Sequence, residues 1–311
     1  MSAPGAFSGE GSPVSFDLDR YLAERRRAVD EALEACLPPA TTYPPLAHEA
    51  MRYSVFAGGK RLRPILVIAG AEAIGGRMAD VMPTACCFEL IHTYSLIHDD
   101  LPAMDDDDYR RGRPTSHKVY GEAVAILAGD GLLTHALGLI AANVALGKAP
   151  PDAFPRVLRE VTEAAGTLGM IGGQVVDIQS EGTRVSAETL EYIHTHKTGA
   201  LIRGALRAGA LLAGAGEGQL AALTAYGERI GLAFQIVDDV LDVEGSLATL
   251  GKTPGSDQRK QKITYPGLHG LETSWARAFA LVRDARSALD SLGPAAEPLR
   301  ALADFVVSRR A

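Results

Sequence analysis

The stretch ADVMPTACCFELIHTYSLIHDDL, residues 79 to 101, combines the apolar spacing of a long helix with a pair of carboxylates at its end. His92, Ser95 and Asp99 lie three and four residues apart, so an imidazole, a hydroxyl and a carboxylate share one helical face. Helical spacing of apolar residues recurs over residues 17–36, 45–55, 63–74, 123–146, 152–170, 187–212, 219–243, 274–292 and 296–309. Period-two runs of β-branched residues are nearly absent. The sequence therefore predicts an all-α protein.

The composition is that of a folded chain. With 311 residues, of which 47% are hydrophobic and 22% charged, the chain can bury most of the surface that it exposes when unfolded. The breaks between the helical segments are too short to be linkers, so residues 15–311 are predicted to form a single domain. Residues 1–14 are rich in Gly, Ser and Pro, and they are predicted to be a disordered leader.

Charge and apolar length narrow the classes of partner. A formal net charge of −7 argues against binding nucleic acid through phosphate neutralisation. The longest stretch without charge, Gly131 to Gly147, barely reaches the length of a membrane span and contains His135 and Asn143, so it predicts a buried helix and no membrane span. The amino terminus lacks the features of a signal peptide, and three cysteines make no disulfide framework. We therefore expect a cytoplasmic protein.

Six carboxylates lie within ten residues at the end of the first quoted stretch, from Asp99 to Asp108. Charge runs are most often solvated faces, but this one follows an apolar helix directly. Pro102 ends or bends that helix, so Asp105 can return toward Asp99. Two carboxylates aimed at one point need a cation between them, and hard oxygen ligands suit Mg²⁺.

A second acidic cluster, QIVDDVLD at residues 235–242, lies inside another apolar helix. Asp238 and Asp242 are one turn apart, an arrangement that costs free energy unless a ligand uses it. Mg²⁺ held by one or two carboxylates completes its shell with water and phosphate oxygens. Two such clusters facing each other across a bundle therefore predict a cage that holds a diphosphate through several Mg²⁺ ions.

Cations flank these clusters in segments that contain glycine. The segments are GGKRLRP at 58–64, RRGRPT at 110–115, HTHKTG at 194–199 and GKT at 251–253. Each could be an ordinary basic surface, and the second could be a structural ion-pair network with the acidic run. Beside a diphosphate cage, however, Arg and Lys side chains are suited to binding phosphate oxygens.

Taken together, these motifs resemble the trans-isoprenyl diphosphate synthases, most closely the bacterial farnesyl diphosphate synthases. The resemblance also covers GMIGGQVVDI at 169–178 and KITYP at 262–266, and it extends over residues 21 to 309. It implies an all-helical bundle around a deep central cavity, a homodimer, and three Mg²⁺ ions in each active site.

The resemblance also assigns roles to individual residues. It implies Mg²⁺ binding by Asp99, Asp105 and Asp238, with Asp100 in support and Asp242 acting through water. It implies binding of the allylic diphosphate by Arg110, Lys197 and Lys252, with Thr198 and Gln235 facing the developing carbocation, and binding of isopentenyl diphosphate by Lys60, Arg63, His92 and Arg111. Tyr94 and Ser95 would set the product length, with Tyr94 as an aromatic floor typical of synthases that make fifteen-carbon products.

The expected activity is a Mg²⁺-dependent head-to-tail condensation of isopentenyl diphosphate with dimethylallyl or geranyl diphosphate to give farnesyl diphosphate. No side chain is an obvious general base, so catalysis would rest on electrostatics and positioning. A synthase with a longer product, such as geranylgeranyl diphosphate, is the main alternative. A terpene cyclase shares the first cluster but needs no second diphosphate site. A non-catalytic partner subunit would be expected to lack one of the two acidic motifs.

Overall fold

The computed structural model describes residues 16–183, 185–244 and 263–308, and nearly all of its regular structure is helical. The helices are α1 (Leu18–Cys36), α2 (Pro45–Val55), α3 (Leu62–Glu72), α4 (Met78–Asp99), α5 (Ser116–Tyr120), α6 (Glu122–Ala145), α7 (Ala153–Ala165), α8 (Met170–Ser180), α9 (Ala187–Ile193), α10 (Ala200–Leu212), α11 (Glu217–Glu244), α12 (Tyr265–His269), α13 (Leu271–Ala288) and α14 (Glu297–Ser308). A π-helix (His194–Gly199) joins α9 to α10, and a 3₁₀ segment (Asp290–Ala296) precedes α14. The predicted all-α class is confirmed.

The two strands are minimal, and they form one antiparallel hairpin. Strand β1 (Tyr109–Arg110) pairs with β2 (Arg113–Pro114) directly after the first acidic cluster. Arg111 and Gly112 form its turn, both with positive φ. Arg110 in this hairpin contacts Asp100 and Asp107 of the cluster, whereas Arg111 donates to the Gly58 carbonyl.

Close backbone packing holds the centre of the bundle together. A Cβ atom added to Gly209 of α10 would lie 2.8 Å from the Val67 carbonyl carbon of α3. In return, a Cβ on Gly70 of α3 would lie 3.1 Å from Leu206 Cα of α10. Small residues thus let these two helices meet backbone to backbone, and α4 then packs against α3.

Helix α4, which carries the first acidic cluster, is anchored by its apolar side chains. Phe88, Leu90 and Ile91 are completely buried between the neighbouring helices. Truncating a buried Phe to Ala costs about 3–5 kcal/mol, because the removed surface leaves a cavity. The acidic end of α4 therefore projects from a rigid base.

Helix α6 is the one helix of the described chain that is long and apolar enough to cross a membrane. Its 18-residue apolar window has a mean hydropathy of 1.7, and 39% of that window is buried. It lies within the bundle, packed against α4 and α2. Buried Asn143 fixes it there, since its amide donates to the Asp80 carbonyl (2.8 Å) and accepts from Thr84 N (3.1 Å). One face of α6 is therefore anchored in the bundle. The buried helix predicted for Gly131 to Gly147 is only partly buried, since Leu137 and Val144 on its other face are 37% and 39% exposed.

The sequence missed or misplaced some helices. The segment predicted as one helix from 152 to 170 ends at Ala165, and the chain turns at Gly166 and Gly169 before α8 begins. Helix α8 was not predicted, because Gly172 and Gly173 interrupt its apolar spacing, and the short helices α5 and α12 were also missed. The predicted leader at 1–14 lies outside the described residues, and the single-domain assignment stays a prediction.

Candidate active site

The end of α4 and the turn after it bring Asp99 and Asp105 together, as the sequence predicts. Asp105 N donates to the Asp99 carbonyl (2.8 Å), and the Leu101 carbonyl accepts from Met104 N and Asp106 N. Burial raises the pKa of the Asp99 carboxyl to about 6, and the charge of Asp105 adds to this rise. The two carboxylates are therefore close enough for their charges to interact.

Asp100, the next residue, is bound to an arginine. It is 3% exposed, and the Arg110 guanidinium binds it through Nε (2.8 Å to Oδ1) and Nη2 (2.5 Å to Oδ1). Charge-assisted contacts of this kind are strong and directional. Asp100, for which the family resemblance implies support of the metal, is thus bound to the arginine expected to hold the allylic diphosphate.

The cations of the second expected substrate site converge on His92. Burial holds the pKa of the His92 imidazole well below its usual range, and the charges of Arg63, Arg111, Arg110 and Arg61 add to this effect. Burial also lowers the pKa of Arg63 to about 10, with a contribution from Arg111. Arg111 reaches back to the Gly58–Gly59 turn and donates to the Gly58 carbonyl. Lys60, from the same loop, is exposed. Such a set of crowded cations suits a polyanionic ligand.

Arg61 anchors this loop, and sequence reasoning assigned it no role. Its side chain is 3% exposed and donates to Asp30 Oδ1 (2.7 Å), Glu89 Oε1 (2.7 Å) and the Val55 carbonyl (2.8 Å). Glu89 lies one turn before His92 on α4. Glu89 could have indicated this buried ion pair from the sequence alone, because a glutamate inside an apolar helix is seldom buried without a basic partner.

Lys197 connects the first cluster to α8. Its Nζ lies 2.6 Å from Asp177 Oδ2, and its positive charge lowers the pKa of Asp99 against the raising effect of burial. Lys197 was predicted as a ligand of the allylic diphosphate, whereas Asp177 was missed because α8 itself was not predicted. The lysine is therefore close enough to Asp99 for their charges to interact.

The second cluster lies near the end of α11. Asp238 is partly exposed, and Asp242 is 4% exposed. Asp239, which sequence reasoning left unassigned, binds His194 Nε2 (3.0 Å) and accepts from Tyr265 N (2.7 Å). Gln235 lies on the same helix about one turn before Asp238, and Thr198 follows Lys197 in the π-helix. Lys252 lies outside the described residues.

Tyr94 and Ser95 lie on α4 just before the first cluster. Tyr94 is 5% exposed, and its ring meets the His98 ring edge-on with centroids 5.7 Å apart. Its buried hydroxyl has no hydrogen-bond partner among the described residues. Ser95 donates to the His92 carbonyl (2.9 Å). The position of Tyr94 among core residues is compatible with a floor beneath the cluster.

The carboxylates suit a hard divalent cation. Among the described residues, no three Asp, Glu, His or Cys side chains form a complete metal site by themselves. Mg²⁺ is commonly held by one or two carboxylates and completes its shell with water and substrate phosphate. Asp99 and Asp105 fit that partial ligand set, because their negative charges repel each other at a partly buried position and a cation would relieve this repulsion.

Comparison with known proteins gives one consistent family. Residues 44–288 match the polyprenyl synthetase family. The chain is 47% identical over 297 residues to the geranylgeranyl diphosphate synthase of Cyanophora paradoxa, covering 95% of this chain and 98% of that protein. It is 46% identical over 258 residues to the farnesyl diphosphate synthase of Geobacillus stearothermophilus, covering 83% and 86%. The solved geranylgeranyl pyrophosphate synthetase of Pyrococcus horikoshii matches with a TM-score of 0.84 and 32% identity, covering 93% and 97%.

Proposed function

Because this chain belongs to the polyprenyl synthetase family and is a prenyltransferase, we propose that it condenses isopentenyl diphosphate with allylic diphosphates and that its main product is farnesyl diphosphate. The observation that carries the proposal is the pairing of two sites on α4. The carboxylates of Asp99 and Asp105 lie at its end, and the cations around His92 lie two turns earlier. An enzyme that joins two diphosphates needs one metal-assisted site and one site made of fixed cations.

The allylic diphosphate would occupy the acidic side of this arrangement. Asp99, Asp105 and Asp238 would hold Mg²⁺, whose positive charge stabilises a departing diphosphate as a Lewis acid does. Arg110, held by Asp100, and Lys197, held by Asp177, would bind the diphosphate oxygens directly. Thr198, Gln235 and Lys252 would complete this site.

Isopentenyl diphosphate would bind among the cations. Arg63, Arg111 and Lys60 would neutralise its diphosphate, and His92, whose lowered pKa keeps the imidazole neutral, would donate or accept a hydrogen bond. No metal is required here, since the guanidinium groups supply the compensating charge. The buried Arg61–Glu89 pair would hold the loop that carries Lys60 and Arg63 in register.

The chemistry follows from these charges. The allylic carbon–oxygen bond breaks with its electron pair leaving on the diphosphate, and the side-chain cations of Arg110 and Lys197 stabilise that leaving group. The double bond of isopentenyl diphosphate attacks the allylic cation and forms the new carbon–carbon bond. A proton then leaves the intermediate, and the departed diphosphate is the base best placed to take it. Positioning and water exclusion supply the rate.

Product length would be set by Tyr94. An aromatic side chain buried below the first cluster would stop a growing chain at fifteen carbons, which favours farnesyl diphosphate. Relatives named for the farnesyl and for the geranylgeranyl product match at nearly equal identity, 46% and 47%. Geranylgeranyl diphosphate is therefore the second candidate product.

A homodimer and a cytoplasmic location complete the proposal. Helix α6 exposes apolar side chains along one face, among them Leu127 (63% exposed), Ile126 (43%) and Leu137 (37%). A long apolar helix face at the surface favours burial against a second copy.

The cytoplasmic location rests on the cysteines. Cys36, Cys86 and Cys87 are all free thiols, as is usual for proteins of a reducing compartment.

The test is condensation with defined substrates. The protein is incubated with isopentenyl diphosphate, dimethylallyl diphosphate and Mg²⁺, and the products are sized by chromatography after dephosphorylation. We expect a fifteen-carbon alcohol, and no product with EDTA. A terpene cyclase would release diphosphate from the allylic substrate when isopentenyl diphosphate is omitted, and that outcome would contradict the proposal. A twenty-carbon product would select the second candidate.

A further inference from the structure

The turn that carries Lys197 and Thr198 is a π-helix, His194–Gly199, set inside an otherwise continuous helix. Such turns are rare in α-helices and are frequently found at functional sites. Lys197 projects from it toward Asp177 and the space around Asp99. Its backbone hydrogen bonds run from i to i+5 instead of i to i+4, so the turn is wider than those of α9 and α10 on either side.

Close backbone packing brings two other helices against the middle and the end of this turn. A Cβ atom added to Gly173 of α8 would lie 2.7 Å from Lys197 Cα, so α8 touches the backbone at the lysine itself. A Cβ added to Gly231 of α11 would lie 2.8 Å from Gly199 Cα. Neither contact can yield easily, because backbone atoms face each other in both.

The beginning of the turn is fixed differently, by a buried pair of polar side chains. His194 is 6% exposed, and its Nε2 lies 3.0 Å from Asp239 Oδ2. The same oxygen accepts from Tyr265 N (2.7 Å), at the start of α12. An ionised carboxylate only accepts hydrogen bonds, so the imidazole is the donor. One carboxylate thus joins the π-helix, α11 and α12.

In the first acidic cluster too, neighbouring aspartates have different partners. Asp99 interacts with the charge of Asp105, whereas the next residue, Asp100, binds the substrate-directed Arg110. In the second cluster, Asp239 follows Asp238 and binds His194, the first residue of the turn that presents Lys197. In both clusters, the second aspartate is bonded to a basic side chain of a segment that carries expected substrate ligands.

We propose that His194 and Asp239 are positioning residues of the allylic diphosphate site, which hold the π-helix so that Lys197 and Thr198 face the substrate. The proposal rests on the proposed function, because it takes the allylic diphosphate as the ligand of Lys197. Neither residue touches the substrate. Breaking their hydrogen bond releases the start of the turn. The packing at Gly173 and Gly231 prevents the turn from moving closer to α8 and α11 but forms no bond to it, so Lys197 and Thr198 lose their alignment.

The test compares His194→Phe, Asp239→Ala and the double variant with the wild type, because neither Phe nor Ala can form the hydrogen bond. His196→Phe is the matched control, because His196 lies in the same turn but stacks on the Tyr192 ring with centroids 3.8 Å apart, and Phe keeps a ring there. The KM of each substrate and kcat are measured. Calorimetry then measures the Kd of geranyl diphosphate without isopentenyl diphosphate, as a readout separate from turnover.

We expect His194→Phe to raise the KM and the Kd of geranyl diphosphate at least fivefold, with the KM of isopentenyl diphosphate within twofold of the wild type. The double variant should bind geranyl diphosphate no more weakly than the single variant with the higher Kd, because one broken bond already removes the pair. His196→Phe should match the wild type.

Three results would overturn the proposal: an unchanged Kd for geranyl diphosphate, equal increases in both KM values, or losses that multiply in the double variant. Asp239→Ala removes the bond from the other side, so it decides the outcome if His194→Phe does not fold. A wild type that binds both substrates without condensing them would instead refute the proposed function, whereas the Kd values of geranyl diphosphate would still test the positioning role.

Discussion

Asp99 is held in the folded chain at an energetic cost. Its ordinary pKa of 3.8 rises to about 6, mainly through burial and partly through Asp105. Between these two values the folded state keeps a proton that the unfolded state has released, so stability falls as the pH rises through this window. Above it, the cost is fully present. Residues whose pKa is strongly shifted by burial and by a neighbouring charge are frequent at functional sites.

Asp99→Asn should therefore stabilise the metal-free protein. In EDTA at pH 7.5, the variant should unfold with a free energy higher by on the order of 1 to 3 kcal/mol, because it removes a charge that burial disfavours. The gain should shrink at pH 5, where the wild-type carboxyl is largely protonated. Urea unfolding at both pH values measures this, with exposed Asp106→Asn as the control. A variant equally or less stable than the wild type at pH 7.5 would contradict it.

Tyr94→Ala should lengthen the product. Removing the buried ring opens space beneath the first cluster, so chains of twenty or more carbons should appear in chromatography of the dephosphorylated products. Tyr94→Phe is the matched control, since it keeps the ring and removes only a hydroxyl that has no partner among the described residues. An unchanged fifteen-carbon product from Tyr94→Ala would refute the role of Tyr94 as a floor.

At the scale of single residues, the spacing in the sequence predicted that Asp99 and Asp105 lie close together, and the structure places them so, whereas their roles as metal ligands stay a prediction. The partners Glu89, Asp177 and Asp239 were not assigned, because each contacts its basic partner across helices that are distant in sequence. Hydrophobic periodicity gives the face of a helix, but it does not identify the helix opposite.

At the scale of elements, the glycines of α8 explain why this helix was not predicted and why Gly173 cannot be substituted without a steric clash. Gly172 and Gly173 weaken the helical signal of α8, yet Gly173 is where α8 meets the backbone of Lys197. The propensity penalty of glycine and its value for close approach arise from the same missing side chain. The long helices α4, α6 and α11 were predicted to within a few residues, because uninterrupted apolar spacing carries them.

Gly173→Ala should damage both stability and activity. The new methyl group would press on the Lys197 backbone, so we expect a loss of roughly 1–3 kcal/mol in the free energy of unfolding and a lower kcat/KM for the allylic substrate. Gly218→Ala in α11 is the control, because a Cβ there meets nothing within 4 Å and alanine favours a helix. Equal stabilities of the two variants would contradict the packing argument.

At the scale of the whole molecule, the exposed apolar face of α6 predicts association. Leu127→Lys would place a charge in the proposed interface, so the variant should sediment as a monomer at concentrations where the wild type is a dimer. Leu168→Lys is the matched control, since Leu168 is even more exposed, at 76%, and lies outside α6. A monomeric wild type, or an unchanged mass for Leu127→Lys, would refute the interface.

The most direct test of the central claim, that the acidic ends of α4 and α11 bind one diphosphate through Mg²⁺, is calorimetric binding of inorganic pyrophosphate. The wild type should bind it more tightly with Mg²⁺ than with EDTA, and both Asp99→Asn and Asp238→Asn should weaken the Mg²⁺-dependent binding at least tenfold. If either variant binds pyrophosphate with Mg²⁺ as tightly as the wild type, the two clusters do not share a ligand, and the account is wrong.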